Sequence, residues 1–163
     1  MTDSKIPSKP ECLAILAKNK TPSNVIEHCK TVCKVAEEIA GNLIKKGIKV
    51  DKKLVTAAAL LHDVVREKED HVSEGAKLIR ELGFPEVAEV ISKHSLHKIE
   101  DPEKQPHTYE EKIVFYADKR AKGSKIVSLE ERFKDLKQRY ALDFTKEYEF
   151  SKKIGRASCR ERV

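Results

Sequence analysis

A chain of 163 residues can close one hydrophobic core, and 39% apolar content without tryptophan leaves that core to Leu, Ile, Val and Ala. Its charge is dense and mixed in sign, 33 basic against 27 acidic residues for a net +6, which reads as solvated helix faces and favours small anionic ligands. No apolar stretch reaches the length of a signal peptide or a membrane span, and the four cysteines follow neither disulfide-framework nor zinc-finger spacing, so reduced thiols in a cytoplasmic protein are expected.

Residues 1–22 form an N-terminal segment, with a short helix expected from Cys12 to Ala17. Thr21-Pro22 supplies an N-cap and a first-turn proline. From Val25 to Ile44 apolar residues recur every three or four positions, an amphipathic helix of about six turns that ends at Gly47. Cys29 and Cys33 lie one turn apart on it and read as a reduced core pair. Asp51 opens the next helix, whose residues Leu54 to Val65 are apolar nearly all round, so this is the buried central one. Asp70 can cap a helix running through Leu82, closed by Gly83, and Pro85 starts another that reaches about His94.

Residues 97–107, with two prolines and mixed charges, are a loop. Thr108 with Glu111 and Ser128 with Glu131 form capping boxes that open helices at 108–121 and 128–140, and a last helix follows from about Asp143. Nothing alternates at period two. The stretch IGRASCRERV, 154–163, breaks the helical pattern and resembles translated sequencing adapter, as in a metagenomic read. It is set apart from the fold, and a natural C-terminus beyond it is then missing. The expectation is an all-α fold, one domain over residues 23–153.

Polar residues on otherwise apolar stretches carry the chemistry. His28 lies in the first long helix, His62 and Asp63 on the central one, His71 begins the next, His94 ends the following one, and Asp118 sits inside IVFYADKRAKG. A buried charge costs several kcal/mol, of the order of 5, unless it is paired or binds a metal. Taken singly, each histidine could be a hydrogen-bonded core residue, Asp63 could pair with Arg66, and Asp118 with Lys119 or Arg120. Taken together, imidazoles and carboxylates from five helices are a ligand set for Zn, Mn, Fe and related ions. His97 and His107 fall in the polar loop and read as solvated. Basic side chains are scattered without interleaved aromatics, so no specific nucleic-acid partner is expected.

A histidine, a later His-Asp doublet, one histidine in HVSEGA, another in KHSL and an aspartate in YADKR together resemble the HD-domain superfamily of metal-dependent phosphohydrolases. The likeness covers roughly residues 23–150. It implies an all-α bundle in which His28, His62, Asp63 and Asp118 hold one divalent metal, and His71 and His94 complete a second with Asp63 bridging. Val64-Val65 follows the doublet where relatives often have Ile-Gly, and the Arg66-Glu67 pair differs from the acidic residues of alarmone hydrolases. By the resemblance, Asp63 and Arg66 act in catalysis, and Arg66, Lys119 and Arg120 contact a small phosphorylated substrate, a nucleotide above all. One or two ions among Mn, Fe, Co, Ni and Zn are implied. A di-iron oxygenase and a non-catalytic nucleotide-sensing module are the alternatives within the same fold.

Overall fold

Every residue from Leu54 to Leu61 is buried, so α3 (Lys52–Leu61) has no face to give to water and must be surrounded. The computed structural model, which describes residues 5–96 and 99–157, supplies the surround. Helices α1 (Lys9–Lys18), α2 (Ser23–Lys45), α5 (Pro85–Ile91) and α6 (Tyr109–Lys119) all pack on α3. α4 (His71–Glu81) packs on α5, while α7 (Leu129–Tyr140) and α8 (Thr145–Ala157) pack on each other and α8 on α6. Between α6 and α7 a short antiparallel hairpin, β1 (Ala121–Lys122) and β2 (Lys125–Ile126), rests on α2. The fold is all-α, as composition and periodicity indicate. No helix among the described residues is long and apolar enough to cross a membrane.

The helix starts follow local chemistry. Ser8 with Glu11 and Thr108 with Glu111 make reciprocal capping boxes at α1 and α6, and Ser128 accepts from the Glu131 amide at α7. Asp51 accepts from the Leu54 amide at 3.1 Å. Thr56, the one hydroxyl on α3, donates to Glu37 Oε2 at 3.0 Å, and Glu37 is held in turn by Lys9 at 3.1 Å. A polar group enters the core there only because its partner comes with it.

Four expectations are corrected. Thr21 does not cap α2: its hydroxyl donates to the Val64 carbonyl at 2.8 Å, tying the start of α2 to the chain beyond α3, and Pro22 takes the cap position. α3 ends at Leu61 rather than Val65, because Val64 and Arg66 donate to the carbonyls three residues back and the chain turns. α5 likewise stops at Ile91, so His94 follows the helix instead of ending it. α8 continues through Ala157 with Ile154 buried in the core, so the helical pattern does not break at 154. The readings of His97 and Cys159 lie outside the described residues. His107 is exposed, its ring donating to the Pro102 carbonyl.

Cys12, Cys29 and Cys33 are free and buried. Burial, with Glu11 beside Cys12 and Glu37 beside Cys33, pushes the thiols of Cys12 and Cys33 from 9.0 up to about 12. A thiol whose pKa is raised on folding favours the native state below its unfolded pKa and opposes it as the unfolded thiolate forms. Stability is therefore expected to fall as pH rises from 9.0 towards about 12. A Cys12→Ala, Cys33→Ala double variant should show a shallower decline in urea titrations over that window; an identical slope would reject the assignment.

Candidate metal centre

Six side chains meet where the ends of α3, α5 and α6 converge on α2 and α4. His28 projects from the second turn of α2, Asp118 from the last turn of α6, and His71 stands first in α4. His62 is the C-cap of α3, Asp63 begins the turn after it, and His94 lies three residues beyond α5. Helix ends suit this purpose, since a side chain there can reach over the terminus of its own helix toward a neighbour.

The geometry divides the cluster in two. Asp63 Oδ2 lies 3.6 Å from His28 Nε2 and 3.3 Å from His62 Nε2, and Asp118 Oδ1 lies 3.0 and 3.3 Å from the same two nitrogens. Asp63 Oδ1 faces the other way, 3.6 Å from His71 Nε2 and 3.4 Å from His94 Nε2. Two groups of ligand atoms result, His28–His62–Asp63–Asp118 and Asp63–His71–His94, each with its atoms within 4.8 Å of one another. Asp63 belongs to both, one oxygen to each.

Backbone carbonyls orient three of the rings. His62 Nδ1 donates to the Ala59 carbonyl at 2.7 Å, His94 Nδ1 to the Ile91 carbonyl at 2.6 Å and His28 Nδ1 to the Gly123 carbonyl at 3.3 Å. Only an N–H can serve a carbonyl, so in a neutral His62 or His94 ring Nε2 carries the lone pair and faces the carboxylates, while His28 also meets Asp118 Oδ1 through Nε2 at 3.0 Å. His62 Nε2 is buried and makes no directed hydrogen bond. A buried polar atom without a partner is costly and calls for an explanation, and a cation between it and the two carboxylates would provide one. Ligand atoms each about 2.0–2.2 Å from a tetrahedral ion would stand roughly 3.3–3.6 Å apart, and the nitrogen-to-carboxylate separations of 3.0–3.6 Å are of that size. The cluster is compatible with divalent metal.

Charge points the same way. Burial favours the neutral acid at Asp63, yet His62 and His94 hold its carboxyl well below the usual range. Asp118 behaves alike: burial is outweighed by Lys119 and by the His28 and His62 rings. At His62 burial opposes charging, but the Asp63 carboxylate raises its pKa well above the ordinary histidine value. His71 moves down, chiefly through burial, with Asp63 pulling against it. Two buried carboxylates thus face one buried ammonium, Lys119, and the surplus negative charge is met by a proton on His62 or by a cation.

Above the cluster opens a cavity of about 610 Å³, with His28, Asp63, His71, His94 and Asp118 in its floor. Arg66 is exposed in its wall. Lys119 reaches the cavity with its ammonium already engaged, donating to Asp118 Oδ2 at 2.7 Å and to the His94 carbonyl at 2.9 Å and lying over the Phe115 ring. It ties two ligand-bearing segments together and does not stand as a free cation. Arg120 is not brought into the cavity: Nε donates to the Val127 carbonyl at 2.6 Å and Nη1 to the Tyr116 hydroxyl at 3.1 Å. Lys122, Arg132 and Arg139 do line it, and sequence reasoning missed them. The three-and-four spacing of Arg132, Leu136 and Arg139 on α7 was the available signal.

Similarity to known proteins agrees with this geometry. A family profile described as HD domain matches residues 25–123. An uncharacterized protein of Methanocaldococcus jannaschii is 36% identical over 143 residues, covering 79% of this chain and 84% of that one. Two proteins named tRNA (cytidine(56)-2'-O)-methyltransferase, from Picrophilus torridus and Thermoplasma volcanium, are 32% and 33% identical over 77% of this chain. The chain spans only 40% of the length of those two. No solved structure matches. With the profile covering more than half its length and the matched stretch holding all six clustered side chains, the chain belongs to the HD domain family.

Proposed function

We propose that the protein is a metal-dependent phosphohydrolase that cleaves a phosphomonoester or phosphodiester, with a nucleotide as the substrate. The observation that carries this reading is the division of Asp63 between two ligand groups under a cavity whose wall holds Arg66. Divalent ions at such a site polarise a phosphoryl oxygen and lower the pKa of bound water toward 7. The residues then have separable tasks. Asp63, between four imidazoles, would serve as a ligand in both groups. His28, His62 and Asp118 would complete the ligands of one cation, and His71 and His94 those of another. Arg66 offers a guanidinium fork to the phosphate oxygens. Lys119 positions Asp118 and the His94 main chain. In the reaction the oxygen of water bonds to phosphorus, the ester P–O bond breaks, and the proton of water passes to the departing oxygen. Mn, Fe, Co, Ni and Zn all suit imidazole and carboxylate donors, and three free buried cysteines fit a reducing cytoplasm.

The test is turnover by chelator-stripped protein re-supplied with each of these metals in turn. Substrates would be nucleoside monophosphates, cyclic nucleotides, dinucleoside polyphosphates, a chromogenic phosphodiester and an RNA with a terminal phosphate. The last is included because two relatives are named as tRNA enzymes. Metal-restored phosphate release is expected. Iron-dependent oxygen consumption without phosphate release would instead identify an oxygenase, and tight nucleotide binding without turnover a sensor. Asp63→Ala should lower kcat/KM by about 100-fold or more, since it removes a donor from both groups; retention of full activity would sink the reading.

Lys119→Met gives a second test, independent of turnover. Removing one partner of a buried ion pair costs about 3–5 kcal/mol because the other charge is left uncompensated. A divalent ion beside Asp118 relieves that charge. The variant should therefore lose more thermal stability without metal than with saturating Mn. Equal losses in the two states would place no cation next to Asp118.

A further inference from the structure

The cavity has a second end. Lys122 comes from β1, and Arg132 and Arg139 from one face of α7. α7 lies beyond the matched residues 25–123, so the family profile does not account for Arg132 and Arg139. All three residues line the cavity, and each is held by a contact within the protein. Arg132 Nε donates to the Ala121 carbonyl at 2.9 Å, which bolts α7 to the hairpin. Asp135, which is not among the lining residues, reaches Lys122 at 3.2 Å through one oxygen and Arg139 at 3.0 Å through the other. One carboxylate thus orders two cations, and with Arg132 the wall keeps a net charge of about +2 from these four groups.

The wall is also tied to the metal ligands. Gly123, next to Lys122 and at φ +58°, presents the carbonyl that His28 Nδ1 bonds at 3.3 Å. The same turn therefore orients a ligand on one side and carries a cation of the wall on the other. A left-handed φ at this residue favours glycine, and it lets the turn approach His28. A single phosphate at the cluster would meet Arg66 and leave three cations at the other end sharing one carboxylate, Asp135. Arg132 Nη1 is buried with no partner, and a group entering from the cavity would reach it only with a small shift of the side chain.

From this placement we infer that Lys122, Arg132 and Arg139 form an anion subsite for a second phosphate group of the substrate, one that is bound and not cleaved. The inference rests on the phosphohydrolase reading and deepens it: the substrate carries at least two phosphate groups, separated by the span from the metal cluster to the α7 wall. The second group can be another phosphate of a free nucleotide or the next backbone phosphate of a short oligonucleotide.

The experiment compares affinities of Mn-loaded protein for adenosine 5'-monophosphate, adenosine 3',5'-bisphosphate and a 3'-phosphorylated trinucleotide. Equilibrium dialysis on ice gives the constants, with ligand integrity checked in each sample. Wild-type protein should bind a two-phosphate ligand about tenfold or more tightly than the monophosphate, the yield of one charge-assisted contact. Arg132→Gln and Arg139→Gln should each pull that ratio toward one. Arg139 is exposed and its pairing with Asp135 is a surface one, so this variant stays folded even if loss of the Arg132–Ala121 bond loosens α7. The bisphosphate binding more tightly than the trinucleotide identifies a free nucleotide as the source, and the reverse order an oligonucleotide. A wild-type ratio near one, or a ratio unmoved in both variants, overturns the subsite whatever the turnover. A ratio that behaves as stated in a protein that hydrolyses nothing removes the phosphohydrolase reading and leaves the subsite standing.

Discussion

Asp63 is asked to be ionised while 6% exposed and to share its two oxygens between two sets of imidazoles. Most of the architecture follows from meeting that demand. Four histidines have to arrive from different elements, which needs helix ends rather than helix middles to converge. Lys119 has to neutralise Asp118 so that two buried carboxylates can coexist, and it does so from the next position in the chain. α3 has to be rigid where its last turn presents His62, and its complete burial among α1, α2, α5 and α6 provides the rigidity. A packed apolar helix resists displacement because any shift opens voids of the kind that cost kcal/mol each in cores.

The stabilising and functional parts of the molecule are consequently hard to separate. Thr21 spends its hydroxyl on the Val64 carbonyl instead of on a helix cap, and the bond closes the start of α2 against the turn that carries Asp63. The Glu37 network with Lys9, Cys33 and Thr56 joins α1, α2 and the middle of α3. Neither network touches the cavity floor, yet both restrain the elements from which that floor is built.

Much of this was legible in the amino-acid sequence, for physical reasons. The 3.6-residue repeat from Val25 to Ile44 and the all-round apolar run of α3 identify a surface helix and a core helix without further information. Most of the six clustered side chains were legible because they interrupt apolar stretches, where a polar group needs a reason to be, and His71, after a charged run, was legible only through the resemblance. What stayed hidden depended on tertiary partners. The end of α3 at Leu61 follows from turns closed by Val64 and Arg66, which hydropathy does not register. Strands of two residues are too short to alternate, so the hairpin at 121–126 left no trace, and with it went the link between Ala121 and Arg132. The charges of α7 looked like a solvated face because only the folded chain turns Arg132 and Arg139 to the cavity. The last helix runs into the stretch whose composition suggests a break, as far as Ala157, since Ile154 finds an apolar neighbourhood in the core.

The orientation of three of the four imidazoles relies on main-chain acceptors. His62 and His94 each bond the carbonyl three residues before them, at the last turn of their own helix, and His28 bonds the carbonyl of a glycine. A carboxylate in that role could be lost through a single codon change, whereas a carbonyl is present whatever side chain occupies Ala59 or Ile91. The ring geometry is thus insulated from ordinary substitution and sensitive instead to insertions and deletions, which would move the helix end relative to the histidine. Lineages of this domain should therefore tolerate drift in the flanking residues while keeping the length of each helix end unchanged.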